Sequence, residues 1–242
     1  METVEQSIKK TPTSFVMIKR GLAVGFPIMI GYIPIAITYG VLAKQSGMTL
    51  MEITWMSILV FAGASQFMGA NMIALGAGAV EIIIATFVLN FRHFVMSLSF
   101  MNRMRPVSMK WKVPLAFGLT DETFAVSSLH TKEAKEEKGY LFYSAITLTA
   151  YLSWVIGSLF GGLLGEVIPE TLSQSMGIAL YAMFIGLLVP SVKKEFRVGL
   201  IAIIAMLVNV ICLQFMSSGW AIVFGTVIGG LSGVYFLKEA SE

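Results

Sequence analysis

The sequence predicts an all-α polytopic membrane protein with about seven transmembrane helices, some of them broken or re-entrant. Of its 242 residues, 56% are hydrophobic and only 13% are charged, and the mean hydropathy is +0.80. A soluble domain usually carries about 25% charged residues and cannot bury this much apolar surface. In addition, five uncharged runs each exceed the roughly 20 residues that a helix needs to cross a bilayer.

These runs also set the order of the spans. The longest run covers 40 residues, so it is expected to hold two crossings with a turn near 217–219. The predicted spans are 21–43, 52–75, 80–100, 141–165, 171–190, 197–216 and 219–237. We therefore expect a lead-in at 1–20, a single transmembrane domain at 21–237 and a tail at 238–242.

Two stretches suggest an internal repeat. TLMEITWMSILVFAGASQFMG, from Thr49, and TLSQSMGIALYAMFIGLLVPS, from Thr171, align without gaps. They predict repeats at 21–100 and 141–216 with three spans each. If segment 113–129 makes no net crossing, the odd number of spans makes the repeats antiparallel, as in many secondary transporters.

The positive charges leave the orientation of the N-terminus open. The bases of MNRMRPVSMKWK and VKKEFR place both loops in the cytoplasm, and the acids of GEVIPETLSQS are expected to face outward. Counting back through three spans puts the N-terminus outside. Four bases within residues 1–20 favour the inside.

Two spans contain residues that interrupt helices. In GFPIMIGYIPIAITYG, Pro27 and Pro34 each remove a backbone donor and clash with the carbonyl four residues back, and Gly31 lies between them. An unbroken helix is therefore not expected there. The second span, FAGASQFMGANMIALGAG, carries small and polar residues at its centre, namely Gly63, Ser65, Gln66 and Asn71.

These small and polar residues have two interpretations, which are compatible with each other. Glycines allow close helix packing, and polar side chains join helices within a membrane. Alternatively, the exposed backbone and the amides bind the amino and carboxylate ends of a small zwitterion near the bilayer midplane.

Ionisable residues within apolar segments are candidates for proton transfer. The third span contains Asn90, Arg92 and His93, and a charge at bilayer depth costs about 3 kcal/mol on insertion scales. Such groups usually face a cavity or a partner; the alternative is that the span ends near Asn90 and Arg92 extends to the interface. Glu81, at the start of this span, either favours the helix N-terminus or belongs to the proton path.

Asp121 and Glu122 lie in the otherwise uncharged segment 113–129, VPLAFGLTDETFAVSSL. This segment is short and apolar, so we expect a re-entrant or broken element that protein shields from lipid. A carboxylate in such a pocket has a raised pKa and can load and release a proton near neutral pH. Adjacent helix positions point about 100° apart, so one of the two acids is expected to face the pathway. The alternative is an exposed loop with solvated acids.

Several function classes are not supported by any motif. The sequence has no Walker A sequence, HExxH, CxxC or nucleophile elbow, and no metal or cofactor site is predicted. The single cysteine, Cys212, permits no internal disulfide. The net charge of +3 comes from bases in loops, which indicates membrane topology and not nucleic-acid binding.

Four motifs in this order resemble the AzlC family of branched-chain amino acid permeases. They are GFPIMIGYIPIAITYG, FAGASQFMGANMIALGAG, TFVLNFRHFVMSLSF and GLTDETFAV, followed by YLSWVIGSLFGGLLGEVIP and LLVPS. The resemblance covers nearly the whole chain from Gly21. It implies the large subunit of a two-component exporter of valine, leucine and isoleucine in the bacterial inner membrane, working with a small AzlD-type membrane subunit.

The resemblance and the residues together predict a proton-coupled secondary transporter and not an enzyme. The expected substrate site contains Pro27, Gly31, Pro34, Gly63, Ser65, Gln66, Asn71 and Asn90. The expected proton-coupling residues are Asp121, Glu122, His93, Arg92 and Glu81. A permease energised by a separate ATPase and a non-transporting scaffold subunit remain the alternatives.

Overall fold

The computed structural model describes residues 12–104, 107–169, 175 and 178–238, and within these residues the chain is helical, with no β-strand. A 3₁₀ turn at Glu133–Lys135 lies between the helices Asp121–Leu129 and Gly139–Leu164. The α-helices are α1 (Ser14–Gln45), α2 (Leu50–Leu59), α3 (Gly63–Ala74), α4 (Ala79–Arg103), α5 (Met109–Phe117), α6 (Asp121–Leu129), α7 (Gly139–Leu164), α8 (Ile178–Lys194), α9 (Phe196–Cys212) and α10 (Ser218–Lys238).

Four of the described helices, α1, α4, α7 and α10, are long and apolar enough to cross a membrane. This confirms a multi-pass membrane protein. The second predicted span is divided between α2 and α3, and the sixth corresponds to α9, which has only 17 residues. The fifth begins in 171–174, which lies outside the described residues, as do 1–11 of the lead-in and 239–242 of the tail. Seven crossings therefore remain a prediction.

Two predicted interruptions are present. Residues 60–62 separate α2 from α3, and Phe61 there has a φ of 42°, a left-handed conformation that is uncommon for a bulky side chain. Residues 118–120 separate α5 from α6, so segment 113–129 is a broken element as expected. The new helix begins at this second break because the Thr120 hydroxyl accepts from the Thr123 amide at 3.3 Å and the Thr123 hydroxyl accepts from the Thr120 amide at 2.7 Å.

The expected break in the first span is wrong, because α1 is one helix of 32 residues. Pro27, Gly31 and Pro34 are spaced by four and three residues, so they lie on one face, and all three are exposed. Each proline removes only one backbone hydrogen bond. Membrane helices tolerate such losses where the rest of the helix is supported by its neighbours, and the opposite face of α1 is closely packed.

The chain divides into two compact units, one of residues up to Gly31 with His93–Leu152, the other of Tyr32–Arg92 with the residues from Ser153 onward. In each unit α1 packs against α7. In the first, a Cβ added to Gly21 would lie 2.3 Å from the Phe142 carbonyl oxygen. Small residues at this contact let the two backbones approach closely.

The second unit shows the same packing between later parts of α1 and α7. A Cβ on Gly40 would lie 2.2 Å from the Ser158 carbonyl oxygen, and one on Gly161 would lie 2.1 Å from the Ile37 carbonyl oxygen. Nearer the helix ends, Lys44 lies against Gly165 and forms an ion pair with Glu166 at 2.8 Å, which lowers the pKa of Glu166 from its usual value.

In each unit, later residues of α1 contact later residues of α7. The two helices are therefore parallel where they pack. Parallel spans require an odd number of crossings between them. The predicted inverted repeats at 21–100 and 141–216 would instead make their first helices antiparallel. The inverted repeat is therefore not confirmed.

The charged turn after α6 is less solvated than its composition suggests. Glu133 is buried, and its carboxylate pairs with the Arg20 guanidinium at 2.6 Å. Because a buried carboxylate needs such a partner, this pair fixes the turn against α1. The neighbouring acids Glu136 and Glu137 are exposed, as the sequence suggests.

Candidate functional site

The start of α3 holds a network of buried polar side chains. Gln66 is fully buried; its Oε1 accepts from the Trp154 indole at 2.8 Å and from the Ala62 amide at 3.3 Å. Its Nε2 donates to the Ser57 hydroxyl at 2.9 Å. One amide side chain therefore connects α2, the break, α3 and α7.

A second set of bonds connects α3 to α4. The hydroxyl of Ser65, which is also fully buried, donates to the Ala62 carbonyl at 2.9 Å. It accepts from Nδ2 of Asn90 on α4 at 3.0 Å. The predicted residues Ser65, Gln66 and Asn90 thus come together at one end of α3.

Aromatic rings enclose this network. A Cβ on Gly63 would lie 2.7 Å from the Trp154 ring, so the indole is packed directly on the first residue of α3. Tyr39 stacks on Trp154 with ring centroids 6.3 Å apart and meets Phe67 edge-on at 5.6 Å. Tyr32 meets Trp154 edge-on at 5.5 Å.

Two polar atoms here are buried and have no hydrogen-bond partner among the described residues, namely the Tyr39 hydroxyl and Oδ1 of Asn90. Neither Tyr39 nor Trp154 is among the candidate residues that the sequence pattern indicates. A phenol within the uncharged run 21–43 was the available signal for Tyr39. Which atoms would meet at this place depended on tertiary packing.

The remaining predicted substrate residues do not join this network. Pro27, Gly31 and Pro34 lie on the exposed face of α1, and no described atom lies within 4 Å of a Cβ added to Gly31. Asn71 is also exposed, although it lies on α3.

The predicted proton-coupling residues lie on α4 and α6. Arg92 and His93 are half-buried within α4, well before its end at Arg103, so α4 does not end near Asn90. Asp121 and Glu122 are half-buried in the first turn of α6, directly after the second break.

Glu81 has a defined structural contact. Its Oε1 accepts from the Gly219 amide at 2.9 Å, from the Trp220 amide at 3.3 Å and from the Ser217 hydroxyl. It therefore caps the N-terminus of α10, whose first amides have no partner within the helix. A Cβ on Gly219 would lie 2.6 Å from Oε1, so an alanine there would require the Glu81 side chain to shift.

The second break borders an apolar cavity of about 290 Å³ between α5 and α7. Its lining includes Trp111, Pro114, Gly118, Thr147 and Tyr151 and no charged side chain. In the described part of the chain, no group of three or more His, Cys, Asp and Glu side chains is placed to hold a metal ion.

Four long apolar helices, with a buried polar network at a broken helix, define a multi-pass membrane protein. The chain belongs to the AzlC family, since the family described as AzlC protein matches residues 27–168.

The chain is similar to membrane proteins of several organisms. It is 30% identical over 214 residues to an uncharacterized membrane protein of Helicobacter pylori, covering 88% of this chain and 91% of that protein. It is 27% identical over 169 residues to the branched-chain amino acid transport protein AzlC of Bacillus subtilis, covering 70% and 65%. It is 29% identical over 173 residues to the inner membrane protein YgaZ of Escherichia coli, covering 70% and 71%. No solved structure matches the chain.

Proposed function

We propose that this protein is a secondary transporter that exports branched-chain amino acids across the cell membrane, and that the substrate binds at the start of α3. The observation that carries the proposal is the buried network of Ser65, Gln66 and Asn90 at a broken helix. Interrupted membrane helices provide backbone donors and acceptors for small solutes inside a protein. The name of the Bacillus subtilis relative, branched-chain amino acid transport protein AzlC, supports the substrate class.

The network separates into residues that face a solute and residues that hold the site. At the first residues of α3, where the Trp154 ring packs on Gly63, backbone amides have no acceptor within the helix. Ser65 fixes the orientation of Asn90, and Gln66 holds the break against α7. Pro27, Gly31, Pro34 and Asn71 are left out of the proposed site because they are exposed elsewhere.

Proton coupling is proposed for Asp121 or Glu122, together with His93 and Arg92. The support is their half-buried position within or beside long apolar helices. Ionisable side chains in such segments commonly carry protons or ions. Glu81 is not included, because its carboxylate caps α10.

The small AzlD-type membrane subunit and the outward direction follow from the family resemblance. The chain has four described helices suited to crossing a membrane and several exposed apolar faces, which leaves room for a membrane partner or lipid.

The test is counterflow of labelled valine in proteoliposomes across a pH step, with and without the small subunit. We expect exchange that requires this chain and responds to the pH gradient. Efflux from cells that persists with a protonophore at constant ATP would favour a separate ATPase. Full transport by the small subunit alone would make this chain a scaffold and overturn the proposal.

A further inference from the structure

We infer that the start of α3 recognises both charged ends of an α-amino acid: the Tyr39 hydroxyl and the first amides of α3 bind the carboxylate, and Oδ1 of Asn90 binds the ammonium group. The inference rests on the proposed function, because it assigns atoms within the same site. It adds Tyr39 as a substrate-binding residue and gives each polar end of the substrate its own partner.

The first amides of α3 have no acceptor within the helix. The N-cap residue, Ala62, has no side chain that can accept, and no side-chain cap is present. The first helical bond of α3 is from the Gln66 amide to the Ala62 carbonyl at 3.0 Å, so the amides of residues 63–65 precede the helical bonding pattern. Such amides, with the positive end of the helix dipole, suit a carboxylate.

The Tyr39 hydroxyl supplies a second, independent indication of a ligand. Tyr39 has no solvent-exposed surface, yet its hydroxyl has no hydrogen-bond partner of regular geometry among the described residues, although the Gln66 side chain lies near it. Its ring is held between Phe67 of α3 and Trp154, and Trp154 lies on Gly63. A buried hydroxyl normally has a partner. A carboxylate at the start of α3 would provide one, since a phenol donates readily to an anion.

Asn90 supplies a hydrogen-bond acceptor, in contrast to the donors at Tyr39 and the α3 amides. Its Nδ2 donates a hydrogen bond to the Ser65 hydroxyl, which fixes the side chain. Its Oδ1 is buried and has no hydrogen-bond partner among the described residues. An amide oxygen only accepts hydrogen bonds. It therefore suits an ammonium group, which only donates.

Gln66, by contrast, is a positioning residue. Both the indole of Trp154 and the amide of Ala62 donate to its oxygen, and its nitrogen donates to Ser57. The acceptor sites of its oxygen are thus occupied, and the contacts hold the break in place. A zwitterion that enters the site finds a buried acceptor at Oδ1 of Asn90 and a buried hydroxyl at Tyr39, whereas the Gln66 oxygen is already occupied.

The test measures competition against labelled valine in proteoliposomes that contain the full-length chain and its small subunit. The competitors are valine, valinamide, which lacks the carboxylate, and 2-hydroxyisovalerate, which lacks the ammonium group. The variants are Tyr39→Phe and Asn90→Ala, with Tyr235→Phe and Asn71→Ala as matched exposed controls.

Tyr39→Phe should weaken valine about tenfold and leave valinamide unchanged, because a hydrogen bond to a charged group is lost only where the carboxylate is present. Asn90→Ala should weaken valine similarly and leave 2-hydroxyisovalerate nearly unchanged. Asn90→Asp keeps an acceptor oxygen and should restore valine binding, which guards against a folding defect of the alanine variant.

Equal losses for all three competitors, or no loss, would overturn the inference and assign the two atoms to ordered water, while transport by the wild type would leave the proposed function intact. A wild-type protein that neither transports labelled valine nor is inhibited by any of the three competitors would overturn both.

Discussion

The indole nitrogen of Trp154 donates a hydrogen bond of 2.8 Å to Oε1 of Gln66, and both side chains are buried. The two residues are 88 positions apart in the chain. Their bond ties the centre of α7 to the first turn of α3, at the point where the second predicted span is broken. This contact fixes the position of the break relative to α7.

Removal of this contact should destabilise the fold. Gln66→Ala leaves the Trp154 indole and the Ala62 amide buried without their acceptor, and each buried unsatisfied group costs about 1–3 kcal/mol. We expect the melting temperature of the purified protein to fall by roughly 5 °C or more. Asn71→Ala removes an exposed amide from the same helix and serves as the control. Equal melting temperatures for the two variants would contradict the structural role of Gln66.

The close packing of α1 on α7 should be sensitive to single methyl groups. A Cβ on Gly161 would lie 2.1 Å from the Ile37 carbonyl oxygen, so Gly161→Ala has to separate the helices, at about 1–3 kcal/mol for overpacking. Gly31→Ala, on the exposed face of α1, meets no atom within 4 Å and should be neutral or stabilising by about 0.5–1 kcal/mol. Thermal unfolding of both variants in the same detergent measures the difference. A stable Gly161→Ala variant would mean that the two backbones are not in contact.

The acids of α6 should separate transport from its coupling to protons. Asp121→Asn keeps the shape of the side chain but removes its titration, so proton-linked valine transport should be abolished while the protein remains in the membrane. Glu122→Gln, one position along the helix, is the matched comparison. Transport rates measured across a pH series should lose their pH dependence in the variant whose acid faces the pathway. Unchanged pH profiles in both variants would remove this pair from the mechanism.

Glu81 should behave as a helix cap and not as a proton carrier. Glu81→Ala leaves the Gly219 and Trp220 amides without their acceptor, and loss of a cap costs about 1 kcal/mol. We expect a lower melting temperature and an unaltered pH dependence of transport. A pH profile that shifts in Glu81→Gln, with stability preserved, would return Glu81 to the coupling residues.

The parallel packing of α1 and α7 leads to a test of membrane orientation. If the two broken elements, α2–α3 and α5–α6, both re-enter, then α4 is the one crossing between α1 and α7. The N-terminal bases and the loop before α5 then lie on the same side of the membrane. In a background without Cys212, cysteines introduced at Lys19 and Lys110 should then react with an impermeant thiol reagent from the cytoplasmic side. A cysteine at Val167, which is 77% exposed after α7, should react from the opposite side. Opposite labelling of positions 19 and 110 would mean that both broken elements cross.

The broken elements show which helix interruptions could be predicted from the local sequence. Glycine and small residues around position 63, and the shortness of the apolar segment 113–129 with its two acids, indicated interruptions, and both are present. The same kind of signal failed for α1. Two prolines predicted a break there, but their seven-residue spacing places both on one exposed face, and the packing of the opposite face keeps the helix continuous.

The sequence by itself determined that this protein lies in a lipid bilayer and that its fold is all-helical. Long uncharged runs can only be buried in lipid, and lipid requires that backbone groups bond within the helix. The family motifs also follow from sequence order alone.

Only the tertiary structure decided which polar residues share a site. Side chains of Ser65, Gln66 and Asn90 meet, whereas Pro34, Asn71 and Glu81 lie elsewhere, although all are polar or helix-breaking residues in apolar segments. Sequence fixes the direction of a side chain only within its own helix. Whether that direction points to lipid, to a neighbouring helix or to a buried network depends on how the helices pack.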